Sequence, residues 1–399
     1  MRIGLISFHS FSRPGGVKRH IFGLHDEFLK IGVKSKIIAP RRKIPENYGE
    51  DVILLGTSIP VNFNGSQADL DINFNPLAIE GVIKKEEFDV LHLHNFGFPS
   101  ALQILTSPSA SKTLNILTLH SDMKGSKFLN NVPTLLYFFS KIAQWKIDGI
   151  IGVSPLCLKT FKKYKGPKAI IPNGIDLERF NPSVPPIKKY LDGKINILFL
   201  GRIEERKGLI YLLKAYKILE KKFSNLRLII VGKGPLKEEM ELWVKDNSLK
   251  DVVFEGEAKE EKIPSYYKTC DIYVSPAIFG ESFGIVLLEA MALGKPVVAF
   301  ANSGYRAVLR GRGAKFLVRP KNFRGLAEKI GLLIKNPLLR ERMGEWGQEE
   351  VKKYSWPKIS KQVFDFYKLC LDKKSDRFRE KNETVDKLLE KWYKKIVPT

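Results

Sequence analysis

Short, almost uninterrupted apolar runs recur along the chain: RIGLISF, KSKIIAP, DVLHLH, NILTLH, DGIIGVS and KAIIP in the first half. A helical pattern, VKRHIFGLHDEFLKIG, separates the first two. Runs of this length without alternation predict strands buried on both faces, and strands alternating with helices predict a parallel sheet. After the turn-like segment PNGIDLERFNPSVPP the rhythm restarts with NILFLGR, LRLIIVG, DVVFEG, DIYVSP and KPVVAF, spaced by helices such as LIYLLKAYKILEKKF. Proline and glycine crowd residues 173–190, so the pattern predicts two doubly wound α/β domains, 1–180 and 181–355. Ligands in such sheets sit at the carboxyl ends of the strands, where loops meet helix N-termini.

One helix breaks its own pattern. In GESFGIVLLEAMALGKPVVAF, residues 280–300, every position from Ile285 to Leu293 is apolar except Glu289. A helix that is apolar all round is buried, and a buried carboxylate needs a partner. Eight residues earlier stands Glu281, in a Gly/Ser/Phe loop at the helix start. If helix spans that interval, the two carboxylates are separated by a rise of about 12 Å and a net turn of about 80°. They would then grip two ends of one elongated ligand, with the free N–H groups of the helix N-terminus offered to a phosphate between them.

Composition changes this picture little, but charge changes it more. The 399 residues are 44% hydrophobic and 28% charged, as expected of a globular chain of more than one domain. No run approaches the ~20 apolar residues of a membrane span, and MRIGLISFHS lacks the features of a secretory signal, so an intracellular, cytoplasmic protein is expected. Cys157, Cys270 and Cys370 are scattered, which argues against disulfides or a zinc ribbon. The net charge of +24 invites anionic partners. Residues 1–43 carry ten basic side chains against Asp26 and Glu27, whereas residues 44–185 balance at thirteen of each sign. Peripheral contact with an acidic membrane is therefore expected, involving Arg13, Lys18, Arg19, Lys30, Lys34, Lys36, Arg41, Arg42 and Lys43. Val385, Leu388, Leu389, Trp392, Tyr393 and Ile396 repeat at helical spacing among lysines, so 376–399 reads as a basic amphipathic tail, docked on the protein or on a membrane. Nucleic acid is not an expected partner, because no helix-turn-helix, aromatic RNA-binding strand or zinc finger is visible.

Several side chains can carry chemistry at the predicted strand ends. NILFLGRIEERKGL puts Arg202 directly after a strand and Lys207 five residues on, a pair suited to a diphosphate. Gly232 and Gly234 follow another strand in VGKGP, and Gly15 and Gly16 follow the first in PGGVKRH; neither completes a dinucleotide fingerprint, which disfavours a nicotinamide dehydrogenase. His92 and His94 share one face of a strand and His120 ends the next, open to three readings: a metal triad, strand-capping core histidines, or His120 alone as a site residue.

Taken together, PGGVKRH, DVLHLHNFGFPSAL, LTLH, IPNGIDLERF, LGRIEERKGL, VGKGP and the Glu281-x7-Glu289 signature resemble the retaining glycosyltransferases of family 4 over nearly the whole chain. Within that family they are most similar to the phosphatidylinositol mannosyltransferases. The resemblance implies a GT-B fold, two Rossmann-like domains facing across a cleft, with a helix over 356–375 crossing back to the first. It implies Arg202 and Lys207 on the diphosphate of a GDP- or UDP-linked hexose, Glu281 on the sugar hydroxyls, Glu289 on the ribose and His120 beside the reacting sugar. Gly15, Gly16, Gly232, Gly234, Ser282, Phe283 and Gly284 complete the implied donor site. No metal and no cofactor are implied, and the acceptor is a hydroxyl, of a lipid or of a soluble sugar. Where many relatives have an acidic residue in a Gly-x-x-Glu segment, this chain has Arg306. Nucleotide-sugar epimerases and phosphorylases share the fold and remain rivals.

Overall fold

The computed structural model describes residues 1–12, 15–42, 45–63, 66–72, 75–96, 100–121 and 133–375. The amphipathic tail predicted over 376–399, together with Arg13 and Lys43, lies outside the described residues.

The first sheet is built from β1 (Arg2–Ser7), β2 (Lys34–Arg41), β3 (Val52–Phe63), β4 (Ser66–Ile72), β5 (Val90–His94), β6 (Leu114–Leu119), β7 (Gly149–Gly152) and β8 (Lys168–Ile170). Its order is β4-β3-β2-β1-β5-β6-β7-β8. The strands at its centre are buried at nearly every position because helices cover both faces, which is why their sequences show no alternation. α1 (Gly16–Lys30), α2 (Pro76–Glu86), α3 (Ser100–Thr106) and α4 (Pro133–Lys146) connect them. The sheet is not parallel throughout. β3 and β4 pair antiparallel as an edge hairpin, from Thr57 opposite Ile72 to Phe63 opposite Ser66.

The second sheet comprises β9 (Ile195–Leu200), β10 (Leu226–Val231), β11 (Val252–Gly256), β12 (Ile272–Ser275), β13 (Val297–Phe300) and β14 (Leu317–Val318), in the order β11-β10-β9-β12-β13-β14 and wholly parallel. Its helices are α5 (Leu209–Glu220), α6 (Lys237–Asp246), α7 (Ile263–Thr269), α8 (Ile285–Ala292), α9 (Ser303–Val308), α10 (Phe323–Lys335) and α11 (Pro337–Val351). In both sheets the order reverses beside the first strand of the unit, at β1 and at β9, the switch point where such folds place ligands.

Residues 356–375 are helical and return to the first sheet. Ile359, Val363, Phe366, Tyr367 and Cys370 share one apolar core with Ile3 and Leu5 of β1 and Leu24 of α1. Trp356 makes the crossing close-fitting. A Cβ on Gly23 of α1 would lie 2.2 Å from its ring, and one on Gly174 of the connecting segment 2.3 Å, so only hydrogen fits at either position. Lys374 ends the contact by donating to the Thr113 carbonyl at 2.7 Å and to Asp148 at 2.8 Å.

Candidate functional site

The cations of the second domain gather where β9 ends. After Leu200 the chain leaves the sheet through Gly201 and Arg202, makes a single 3-10 turn at Glu205–Lys207, and enters α5 behind Gly208, whose φ is +68°. A Cβ on Gly208 would meet the Pro276 carbonyl at 2.2 Å, so this turn packs directly on the segment after β12. That contact brings the cations to the signature loop. Lys207 Nζ donates to Glu281 Oε1 at 2.6 Å and Arg206 Nη1 donates to the same oxygen at 3.0 Å. Arg202, expected to stand with Lys207, lies instead beside Glu204 at 3.4 Å and is 45% exposed. Glu204 is 4% exposed and also meets Arg206 Nε at 2.5 Å. Neither oxygen makes an aligned hydrogen bond, so it anchors both arginines as a charge.

Glu281 and Glu289 do not lie on one continuous helix. α8 begins only at Ile285, behind Gly284 at φ +109°, and Glu281 belongs to the loop before it. The helical estimate of their separation therefore does not hold, because positive φ at Gly284 turns the chain between them. The start of α8 has no side-chain cap and no acidic residue in its first turn, leaving its N–H groups free of protein carboxylates. Phe283 is 4% exposed and packs edge-on to Tyr354, so its ring serves the core and only its backbone is left to a ligand. Ser282 is half-buried between them.

The four glycines divide into two kinds. A Cβ on Gly15 or Gly16 would meet nothing within 4 Å, so the start of α1 borders open space. Gly232 and Gly234 face backbone: a Cβ would lie 1.9 Å from the Gly201 carbonyl and 2.2 Å from the Ile203 carbonyl. They are glycines because the β10 turn packs against the β9 turn that carries Arg202, the tight turn expected of them.

Glu289 has protein partners on both oxygens. Tyr267 of α7 donates its hydroxyl at 2.9 Å, and the Arg19 guanidinium reaches over from α1 to form an ion pair. Its carboxylate is thus held by the first domain as well as the second. Burial pushes the Glu289 carboxyl up from its ordinary value, and Arg19 opposes that rise.

The histidines settle differently from any single reading of their spacing. His92 is a core residue, its Nδ1 2.6 Å from the Tyr367 hydroxyl and its Nε2 2.6 Å from Thr118 Oγ1. The cluster consists of His94, His120 and His20 of α1, with His94 Nδ1 3.1 Å from His120 Nε2 and the His20 and His120 rings 4.7 Å apart. A nitrogen from each of the three lies within 4.8 Å of the others. Burial drives His20 down to about 3 and holds His94 and His120 well below their ordinary value, so all three rings are neutral at neutral pH. Asn173, on the connecting segment, stands beside His20 and His120, and Asn95 Oδ1 accepts the backbone N–H of His120 at 2.8 Å.

Sequence reasoning missed Arg206, Glu204, His20 and Arg19. Arg206 adjoins Lys207, and a pair of neighbouring cations at a strand end was signal enough. Arg19 and His20 lie one helical turn beyond Gly16, so the start of α1 at the cleft would have placed them there.

Two α/β domains meeting at their switch points, with cations and a carboxylate from one and histidines from the other, define a glycosyltransferase of the GT-B class. Residues 14–179 match the model of Glycosyltransferase Family 4 and residues 185–350 that of Glycosyl transferases group 1. The chain belongs to glycosyltransferase family 4. It is similar to the phosphatidyl-myo-inositol mannosyltransferase of Mycobacterium leprae, 34% identical over 92% of this chain and 96% of that one. The enzyme of the same name from Mycolicibacterium smegmatis is 33% identical over 92% and 93%. Among solved structures, sucrose-phosphate synthase from Thermosynechococcus elongatus superposes with a TM-score of 0.74 at 20% identity, covering 93% of this chain and 99% of that one. Anabaena HepE in complex with UDP gives 0.73 at 18% identity, covering 92% and 99%.

Proposed function

We propose that this glycosyltransferase moves a hexose from a nucleoside diphosphate sugar to a hydroxyl of a phospholipid, with retention of configuration and without a metal. The observation that carries the donor reading is the convergence of Lys207 and Arg206 on Glu281 before the uncapped start of α8. Cations and free helix N–H groups suit a diphosphate, and a carboxylate beside them suits sugar hydroxyls. On this reading Arg202, Arg206 and Lys207 stabilise the charge that grows on the departing diphosphate, Glu281 orients the sugar and Glu289 takes the ribose. Glu281 stands next to these cations and Glu289 on Arg19, and on this reading both have binding tasks, while Glu204 is taken up by Arg202 and Arg206. The leaving phosphate is then left as the base for the acceptor proton, which is retaining chemistry.

For the acceptor, the curated relatives act on phosphatidyl-myo-inositol by name, and that supports mannose as the sugar and an inositol phospholipid as its acceptor. The basic residues of the first 43 positions support membrane contact less than their number suggests. Arg2 pairs with Glu87, Lys30 with Glu27, Lys36 with Glu86 and Arg19 with Glu289 and Glu260, while Lys18 donates to the Phe11 carbonyl. Better support comes from Trp145, 81% exposed, with Lys146 Nζ 4.8 Å from its ring, an aromatic and a cation arranged as at a lipid interface. No helix of the described residues is long and apolar enough to cross a membrane.

The test is turnover of GDP-mannose and UDP-glucose with phosphatidylinositol vesicles, with soluble inositol and with no acceptor. The anomer of the product is read by NMR, and co-sedimentation is followed across a salt series. Transfer to soluble acceptors only, with no binding to acidic vesicles at ~50 mM salt, removes the lipid reading and leaves the enzyme class intact. Release of free epimerised sugar would remove transfer itself.

A further inference from the structure

Glu289 is 1% exposed, and its two oxygens have different owners. Tyr267 holds Oε2 from α7 of the same domain, so that bond is indifferent to any motion between domains. Oε1 is held by Arg19 Nη1, from α1 of the other domain. The second nitrogen of the same guanidinium, Nη2, is 3.1 Å from each oxygen of Glu260. Arg179, on the connecting segment, donates to Glu260 Oε2 at 2.9 Å. Two glutamates and two arginines thus form one neutral chain, Glu289–Arg19–Glu260–Arg179, that spans both domains and the segment between them.

The two ends of this ion-pair chain differ. Arg19 makes two contacts at 3.1 Å to the partly exposed Glu260, which is braced by Arg179, and a single closer one to the buried Glu289. Burial raises the Glu289 carboxyl while Arg19 opposes it, and at Glu260 the pull of Arg19 and Arg179 overcomes burial and lowers the carboxyl. A buried carboxylate needs a partner, and any ligand that takes the oxygen held by the guanidinium must displace it or share it.

We propose that Arg19 competes with the donor nucleotide for Glu289: the guanidinium and a ribose diol claim the same carboxylate oxygen, so donor binding releases one end of an interdomain ion pair while Arg19 stays on Glu260. The competition rests on the assignment of Glu289 to the ribose. It gives the ion pair two roles, tying the domains together at the cleft and setting the nucleotide affinity below what the bare carboxylate would give. It also makes Arg19 a positioning residue whose removal improves binding, the reverse of what an Arg holding the diphosphate would show.

GDP and UDP are titrated calorimetrically into the wild-type chain, Arg19→Ala and Arg19→Lys, and each protein is melted with and without nucleotide. Arg19→Ala is expected to bind the preferred nucleotide at least threefold more tightly. It should melt lower alone yet show a larger upward shift with nucleotide, because stabilisation follows ligand concentration over Kd. Arg19→Lys keeps a charge but not a fork that bridges two carboxylates, so its affinity should fall between the two. Unchanged or weaker binding by a folded Arg19→Ala overturns the competition; if that variant does not fold, Arg19→Lys binding no tighter than wild type does so. A wild-type chain that binds neither GDP nor UDP instead removes the donor assignment, and the competition with it.

Discussion

Lys207 Nζ donates to Glu281 Oε1 at 2.6 Å, across 74 residues of sequence, and so ties the turn after β9 to the loop before α8. The ammonium has further N–H donors beyond the one given to Glu281, and the proposed role offers them to the donor diphosphate. Lys207→Ala is accordingly expected to lower kcat by ~10²- to 10³-fold, the scale of losing one preorganised electrostatic group. Steady-state rates with the preferred donor test this, and kcat/KM within threefold of wild type would assign the lysine to holding the loop instead.

Glu204 anchors Arg202 and Arg206 without touching Glu281. Glu204→Gln keeps the shape and removes the charge, so it should raise the donor KM more than it lowers kcat. The effect should reach about tenfold in kcat/KM, or ~1.4 kcal/mol. A fall in melting temperature with unaltered kinetic constants would mean the buried acid serves folding alone.

Acid should unfold this protein in a defined window. His20, His92, His94 and His120 have folded-state values depressed by burial, His20 to about 3, against an unfolded value of 6.5. The unfolded chain therefore binds protons that the native one refuses, and stability present above pH 6.5 is lost as pH falls below it, for His20 down to about 3. Each histidine contributes a slope of ~1.4 kcal/mol per pH unit within that window. Urea midpoints measured from pH 8 to pH 5 should decline steeply below 6.5; a flat profile would show that these rings are protonated in the native state.

Chelation is expected to leave transfer intact. Neutral imidazoles can bind zinc, and His20, His94 and His120 are close enough to try, but His94 Nδ1 and His120 Nε2 already meet each other at 3.1 Å and the proposed transfer chemistry needs no cation from them. Activity after EDTA dialysis should stay within twofold of that before it, and added zinc should inhibit. Loss of activity restored by one divalent metal would place a cation in the mechanism.

Gly23→Ala and Gly174→Ala each force a methyl group against the Trp356 ring at under 2.4 Å. Overpacking of this kind costs ~1–3 kcal/mol, read as a lowered melting temperature. A Trp356→Leu partner change that recovers most of the loss would locate the clash at that ring.

What the sequence determined by itself was whatever depends on neighbours along the chain. Strands such as NILTLH and LRLIIV were legible because a strand buried on both faces must be apolar without alternation, and the turn at 173–190 marked the seam because prolines and glycines interrupt both patterns. Arg202, Lys207, Glu281 and Glu289 stood out for the same reason, being charged residues at strand ends or inside an apolar helix. The tertiary structure alone decided their partners. Glu289 took Arg19, 270 residues away, because two switch points face each other, and no local pattern encodes that distance. Likewise His92 and His20 exchanged roles: Tyr367 of the returning helix satisfies His92, while α1 turns His20 towards His94 and His120. Residue type and spacing set which groups can be charged or buried, but which charge meets which is fixed only when separate elements pack and each buried polar group must find a partner.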